Sequence, residues 1–158
     1  MEKFSTKNGV SVMAYKGDAM TLLAFDLASN RRKNLAGFTI RYKYKVNGEW
    51  QQSYIFNRLK FPKSFFDAHS EIPPEDRNST LYSPIQKFNW VHVPNTNINT
   101  ELPSFGDYTY EVTPRYMVDN TLLDMDDALT VKVKINVSPF NLKKTEVGFT
   151  RGFVSSVG

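Results

Sequence analysis

The sequence contains no cysteine, and this absence excludes several kinds of site at once. There can be no disulfide framework, no thiolate zinc site and no cysteine nucleophile, so the core must be held by packing alone. Histidine is almost as rare, since His69 and His92 are the only two in 158 residues. The longest apolar run, near residues 20–25, is far shorter than the roughly 20 residues that cross a bilayer, so we expect no membrane-spanning helix.

Neither sign of charge dominates the chain. The 20 basic and 16 acidic residues give a net charge of +4 and a pI near 9.2. This balance of basic and acidic residues is too even for a dedicated nucleic-acid binder. The first residues lack the basic start and apolar stretch of a secretory signal, and we therefore expect a cytoplasmic protein. The glycines are dispersed and form no phosphate-binding loop, so the sequence predicts no cofactor.

What the sequence does contain is a strict alternation of apolar and polar residues. In residues 106–116, Tyr108, Tyr110 and Val112 share one face of an extended chain, a pattern typical of a half-buried β-strand. Asn47 and Gly48 separate two further alternating runs and form the dipeptide that a two-residue hairpin turn favours. The predicted strands are residues 10–15, 20–27, 37–46, 50–56, 84–93, 108–118, 129–137 and 147–153.

These strands predict an all-β fold, because no segment shows a helical stripe of comparable quality. We expect one immunoglobulin-like or fibronectin type III-like β-sandwich over residues 1–158, in which Tyr108 occupies a tyrosine corner. Residues 57–83 are the exception: they contain three prolines, have no sustained period and are longer than most structureless connections. We expect this irregular loop to pack through Phe61, Phe65 and Phe66.

A basic sheet face is the main candidate site. If residues 37–46, 108–118 and 129–137 lie in one sheet, as the C, F and G strands of an immunoglobulin-like sandwich do, their outward side chains are nearly all cationic. One interpretation is a solvated face on which lysines prevent aggregation, and the other is a docking face for an acidic partner, with salt-sensitive association. Its basic members are Arg41, Lys43, Lys45, Arg115, Lys132 and Lys134, with Glu111 as the single acid.

The remaining candidates are weaker. His69 stands beside Ser70 and Glu71, but adjacent residues point in different directions and catalytic triads are assembled from separated segments. His92 is expected to be a hydrogen-bonded structural residue on the face of Trp90. Residues 119–127 are acidic but lack the spacing and central glycine of a calcium loop. A further hypothesis is a loop that stacks on a carbohydrate or another ligand, through Phe61, Phe65, Phe66 and His69.

Several segments resemble the N-terminal, non-catalytic region of bacterial phospholipase D-like proteins. They are AYKGDAMTLLAFDL (14–27), NLAGFTI (34–40), PIQKFNW (84–90) and YTYEVTPR (108–115). Residues 148–158 begin with GFTRGF, which is similar to the junction that precedes the phosphodiesterase portion in that group. The resemblance implies an accessory domain whose partner is a catalytic domain of the same or an associated protein.

The catalytic signature of that group does not occur here. It consists of a His, a Lys two residues later and an Asp further on, whereas His69 is followed at that spacing by Glu71 and His92 by Pro94. No catalytic residue is carried over, and we expect this chain not to be an enzyme. A stand-alone ligand-binding sandwich is the alternative function.

Overall fold

The computed structural model describes residues 2–94, 96–97, 102–103 and 105–140. These residues form a β-sandwich of two antiparallel sheets, which confirms the predicted all-β fold. None of the helices in this part of the chain is long and apolar enough to cross a membrane. Among these residues the α-helix is α1 (Lys63–Ala68), and the strands are β1 (Glu2–Lys7), β2 (Val10–Gly17), β3 (Met20–Leu27), β4 (Leu35–Val46), β5 (Glu49–Tyr54), β6 (Asn89–His92), β7 (Thr96–Asn97), β8 (Leu102–Pro103), β9 (Gly106–Val118), β10 (Thr121–Leu122) and β11 (Val131–Val137).

The order of the strands is that of an immunoglobulin-like sandwich. The first sheet has the order β1-β2-β3-β6, and the second has the order β5-β4-β9, with β10 and β11 both pairing with the far side of β9. Strands β2, β3 and β6 therefore correspond to A, B and E, and β4, β9 and β11 to C, F and G. This order confirms that residues 37–46, 108–118 and 129–137 share one sheet.

Two of the tight hairpins are formed by Asn-Gly dipeptides. Asn47 and Gly48 both have positive φ, 51° and 81°, as a type I′ turn between β4 and β5 requires. Asn8 and Gly9 form the same turn, with φ of 51° and 83°, between β1 and β2. The sequence patterns do not predict β1, because its residues are polar and mostly exposed on both faces.

The predicted strand 84–93 is wrong for its first half. Only Asn89–His92 form β6, because residues 84–88 cross from one sheet to the other. Ile85 exchanges backbone hydrogen bonds with Phe38 of β4, whereas the carbonyl of Phe88 accepts from the amide of Phe25 in β3. The crossing chain passes so close to Gly37 that a Cβ there would lie 2.5 Å from the carbonyl oxygen of Ile85. The predicted strand 147–153 lies outside the described residues.

Two apolar clusters hold the structure. The main core lies between the sheets and consists of the inward residues of the alternating strands, such as Leu23, Ile40, Tyr110 and Val133. A second cluster of Phe61, Phe65, Phe66 and Ile72 packs against Met117 and Leu122 on the outer side of the second sheet. This cluster confirms that the irregular loop packs through its three phenylalanines, and it includes α1, a helix that the sequence patterns do not predict.

Candidate functional site

Two rows of paired side chains cross the outer face of the second sheet. One row contains Lys134, Thr109, Lys43 and Gln52, and the next contains Lys132, Glu111, Arg41 and Tyr54. Direct partners in an antiparallel pair have Cβ atoms about 4.5–5.5 Å apart, so a single residue of β9, Thr109 or Glu111, separates the two cations of each row. Lys45 follows along β4, opposite Trp50. We call the five cations the basic face: Arg41, Lys43, Lys45, Lys132 and Lys134.

A buried carboxylate lies at the centre of the basic face. Glu111 is only 3% exposed, and its Oε1 atom accepts hydrogen bonds from Nε of Arg41 at 2.7 Å and from Nη2 of the same guanidinium. Its Oε2 atom lies 3.1 Å from Nζ of Lys43 and 3.7 Å from Nζ of Lys132. Burial opposes ionisation, but these hydrogen bonds and charges hold the pKa of Glu111 below its ordinary value. The carboxylate therefore fixes three cations in one orientation.

The basic face carries a net charge as large as that of the whole protein. It has five basic side chains against the single carboxylate of Glu111, while the sequence as a whole has 20 basic and 16 acidic residues. The basic and acidic residues elsewhere are thus equal in number and cancel. Lys45 and Lys134 form no ion pair with any described residue, so no neighbouring carboxylate neutralises their charges.

A polar cavity of about 260 Å³ opens beside Glu111, between β9 and the segment that leads into β11. Its walls include Lys7, whose Nζ atom donates to the carbonyl of Asp127 at 3.3 Å, and two threonines that share a hydrogen bond of 2.8 Å. These threonines are Thr113 and Thr130. Hydroxyl and charged groups of both signs line this cavity, and it suits water or a small polar group better than an apolar ligand.

An exposed tryptophan lies beside the basic face. The ring of Trp50 is 59% exposed, and Nζ of Lys45 lies 5.0 Å from its centroid. Trp50 also lines a shallow recess of about 360 Å³ with Lys43, Gln52 and Thr109. Sequence reasoning missed Trp50, although the two-residue turn at Asn47 and Gly48 fixes the pairing that places it opposite Lys45.

Arg115 was predicted on this face, and the prediction that it is exposed is wrong. Its side chain is buried because the irregular loop and the segment after β10 cover this end of the sheet. Its guanidinium donates to Oγ1 of Thr39 at 3.0 Å and to the carbonyls of Leu81 at 2.7 Å and Leu123 at 2.8 Å. Burial lowers the pKa of Arg115 from its ordinary value. The residue holds two loops on the sheet and takes no part in the basic face.

The predicted ligand loop does not present its aromatic rings. Phe61, Phe65 and Phe66 are all buried, so none of them can stack on a ligand at the surface. The ring of His69 lies 4.4 Å from that of Phe65, and its Nε2 atom is 3.0 Å from the carbonyl oxygen of Asn120. The structure therefore places the three phenylalanines in the buried cluster and His69, which is partly exposed, at the border of that cluster.

His92 is a structural residue between the sheets, as the sequence predicted. Its Nδ1 atom lies 2.7 Å from the hydroxyl of Tyr110, which donates in turn to Oγ1 of Thr21 at 3.2 Å. Because the Tyr110 proton goes to Thr21, the phenolic oxygen is left to accept from Nδ1–H. Burial lowers the pKa of His92 to about 4, so the ring is neutral near pH 7.

Within the described residues, no group of three or more His, Asp or Glu side chains is arranged to hold a metal ion. Comparison of the chain with protein-family models, with curated proteins and with solved structures gives no match.

Proposed function

We propose that this chain is a cytoplasmic, non-catalytic interaction module whose basic face docks on an acidic surface of a phospholipase D-like catalytic portion, in the same or an associated protein. The observation that carries the proposal is the concentration of the net charge on one flat sheet face. Glu111 supports it because a buried carboxylate holds Arg41, Lys43 and Lys132 in place before a partner arrives. Fewer side chains then have to be ordered on binding.

The state of the histidines also supports a non-catalytic role. The phosphodiesterase group that the sequence resembles uses a His nucleophile, whereas His92 is buried and hydrogen-bonded to Tyr110. His69 packs on Phe65 and contacts a backbone carbonyl. The segments that carry the resemblance lie in β2 and β3, in β4, in the crossing residues 84–88 with the start of β6, and in β9, all of which are parts of the sandwich. The resemblance thus concerns the scaffold.

Charge reversal on the basic face tests the proposal. Lys45→Glu combined with Lys134→Glu is the appropriate variant, because neither lysine contacts Glu111 and the centre of the face stays intact. We expect it to slow association with a phospholipase D-like catalytic portion about tenfold at about 20 mM salt, since surface charges act mainly on the association rate. Surface plasmon resonance measures this rate, and at about 500 mM salt the two proteins should differ little.

The matched control is Lys33→Glu combined with Lys60→Glu. Both lysines are exposed and lie outside the basic face, so this variant has the same net charge. If the control slows association as much as the test variant does, the total charge acts rather than the face. If neither variant changes the association rate, Lys45 and Lys134 are ordinary solvated strand residues.

Trp50 supports a second candidate, a carbohydrate-binding sandwich. Its exposed ring lies beside Gln52 and Lys43 and so combines an apolar surface with polar groups, as a site that stacks and hydrogen-bonds a sugar ring requires. Titration with cello-, xylo- and chito-oligosaccharides should then change the tryptophan fluorescence and lose its effect in Trp50→Ala. Trp90→Phe is the control for the other tryptophan. An unchanged signal with every sugar removes this candidate.

A further inference from the structure

The outer edge of β6 has backbone groups without partners among the described residues. Within this part of the chain β6 pairs with β3 alone, in a register that sets Trp90 opposite Leu23 and His92 opposite Thr21. The amide of Phe25 donates to the carbonyl of Phe88 at 2.8 Å, so alternate residues from Phe88 onward turn their backbone groups toward β3. The backbone N–H and C=O groups of Asn89 and Val91 therefore turn outward, and no described residue bonds to them.

This edge also lacks the charges that three other edge strands carry. β1 contains Glu2, Lys3 and Lys7, β5 contains Glu49, and β11 contains two lysines, whereas Asn89–His92 contain no charged residue. Charged side chains on an edge strand prevent the addition of another strand. The edge of β6, which is uncharged and includes the exposed side chain of Val91, is consequently open to pairing with another strand.

A groove runs along the same edge. Two cavities of about 600 Å³ and 430 Å³ adjoin there and share Arg58, Trp90 and Val91 as wall residues. Leu59 belongs to the first cavity and Phe56 and Val93 to the second, and these three side chains are more than half exposed. The groove thus places apolar surface next to free backbone donors and acceptors, as sites that bind extended peptides do.

The charge of the groove favours one kind of occupant. Arg58 and Lys87 are its charged wall residues, and no acidic side chain lines either cavity. The chain's own residues 141–158 contain three basic residues and one acidic residue, so they do not complement this charge. We propose that the outer edge of β6 binds an extended segment of a partner protein, with apolar residues for the groove and acidic residues at its ends. The segment adds to the first sheet as a fifth strand, so this inference does not depend on the basic face.

A synthetic peptide tests the proposal on the full chain. The probe has seven residues, with valine alternating with threonine in the centre and aspartate at both ends. In ¹⁵N nuclear magnetic resonance we expect saturable shifts of the Asn89 and Val91 amides. Val91→Pro should weaken binding at least about tenfold, because it removes an outward N–H while leaving the ladder to β3, whereas the control Val91→Thr should change it less than about twofold.

Modified peptides repeat the test without changing the protein. N-methylation of the peptide amides that face β6 should abolish binding, and lysine ends in place of aspartate should weaken it. Equal binding by the methylated peptide, equal binding by the lysine peptide, or no binding at about millimolar concentration overturns the proposal.

Hydrogen exchange of the free protein tests two other possible occupants of this edge, another part of the same chain and a second copy of the protein. We expect fast exchange of the Asn89 and Val91 amides before peptide is added. Protection in dilute protein would show that the chain covers this edge itself, and protection that grows with protein concentration would show a second copy there. Either result overturns the proposal.

Discussion

Glu111 contributes to both the stability and the surface charge of the protein. It is buried, so its ionised form depends on the hydrogen bonds from Arg41 and Lys43. It also keeps these like charges at a short distance from each other, which would otherwise be unfavourable. The basic face is for this reason an ordered surface.

Replacement of Glu111 by Gln should lower the free energy of unfolding by about 2 kcal/mol near pH 7, because charged hydrogen bonds are lost and cations remain. The pKa of Glu111 is held below its ordinary value of 4.5, so the carboxylate stabilises the fold fully above that pH. Its contribution disappears as the pH falls through the lowered pKa. Urea unfolding at several pH values should show the two proteins converging in acid. Glu49→Gln, at an exposed hairpin position, should stay within about 0.5 kcal/mol of the parent at pH 7.

At the scale of the elements, two connections cover one end of an otherwise open sheet. The irregular loop and the segment between β10 and β11 both reach the outer side of β9, where Arg115 donates to a carbonyl of each. Thr80 adds a buried contact, since its carbonyl accepts from Oγ1 of Thr39 at 2.7 Å. The covered end is structural, and only the uncovered end presents the basic face.

Replacement of Arg115 by Met should destabilise the protein by about 3 kcal/mol, because the carbonyls of Leu81 and Leu123 lose their buried donor. The loss should appear first as faster hydrogen exchange in the irregular loop, while the strands between the sheets stay protected. Lys134→Met removes a cation of similar length from an exposed position and should change stability by less than about 0.5 kcal/mol. Equal stability of the two variants would show that Arg115 does not hold the loops.

At the scale of the whole molecule, the two sheets are joined by a polar contact inside an apolar core. His92 of the first sheet bonds to Tyr110 of the second, and Tyr110 bonds back to Thr21 of the first. The rings of Tyr42 and Tyr108 pack around the imidazole, with centroids at 4.5 Å and 5.7 Å. Protonation of His92 would place a charge at the centre of this cluster.

The stability of the protein should therefore fall in mild acid. The pKa of His92 is about 4 in the folded protein against 6.5 ordinarily, so the unfolded chain binds the proton first as the pH drops. Stability is complete above pH 6.5 and decreases toward pH 4, by at most about 3 kcal/mol from this group. Urea unfolding at pH values between these limits measures the slope. His92→Gln should flatten it, and an equal slope in that variant would contradict the assignment.

The sequence by itself determined most strands of the two sheets, their inward faces and five of the six basic residues predicted for the site. Alternation along 37–46 and 129–137 and the turn at Asn47 and Gly48 placed Arg41, Lys43, Lys45, Lys132 and Lys134 on one outward face. These features are local, because a period of two and a two-residue turn fix the side-chain direction and the register. The sequence did not predict β1, although Asn8 and Gly9 form the same turn after it, because this strand is polar apart from Phe4 and shows no alternation.

Only the tertiary structure decided which outward residues are covered. Arg115 and Glu111 alternate outward as the sequence predicts, yet both are buried. The irregular loop and the segment after β10 cover Arg115, whereas cations of the neighbouring strands surround Glu111. The crossing of residues 84–88 and the free edge of β6 likewise depend on which strands lie beside them. Alternation reports only the two faces of one strand, whereas burial and edge pairing are set by neighbours that loop closure brings from elsewhere in the chain.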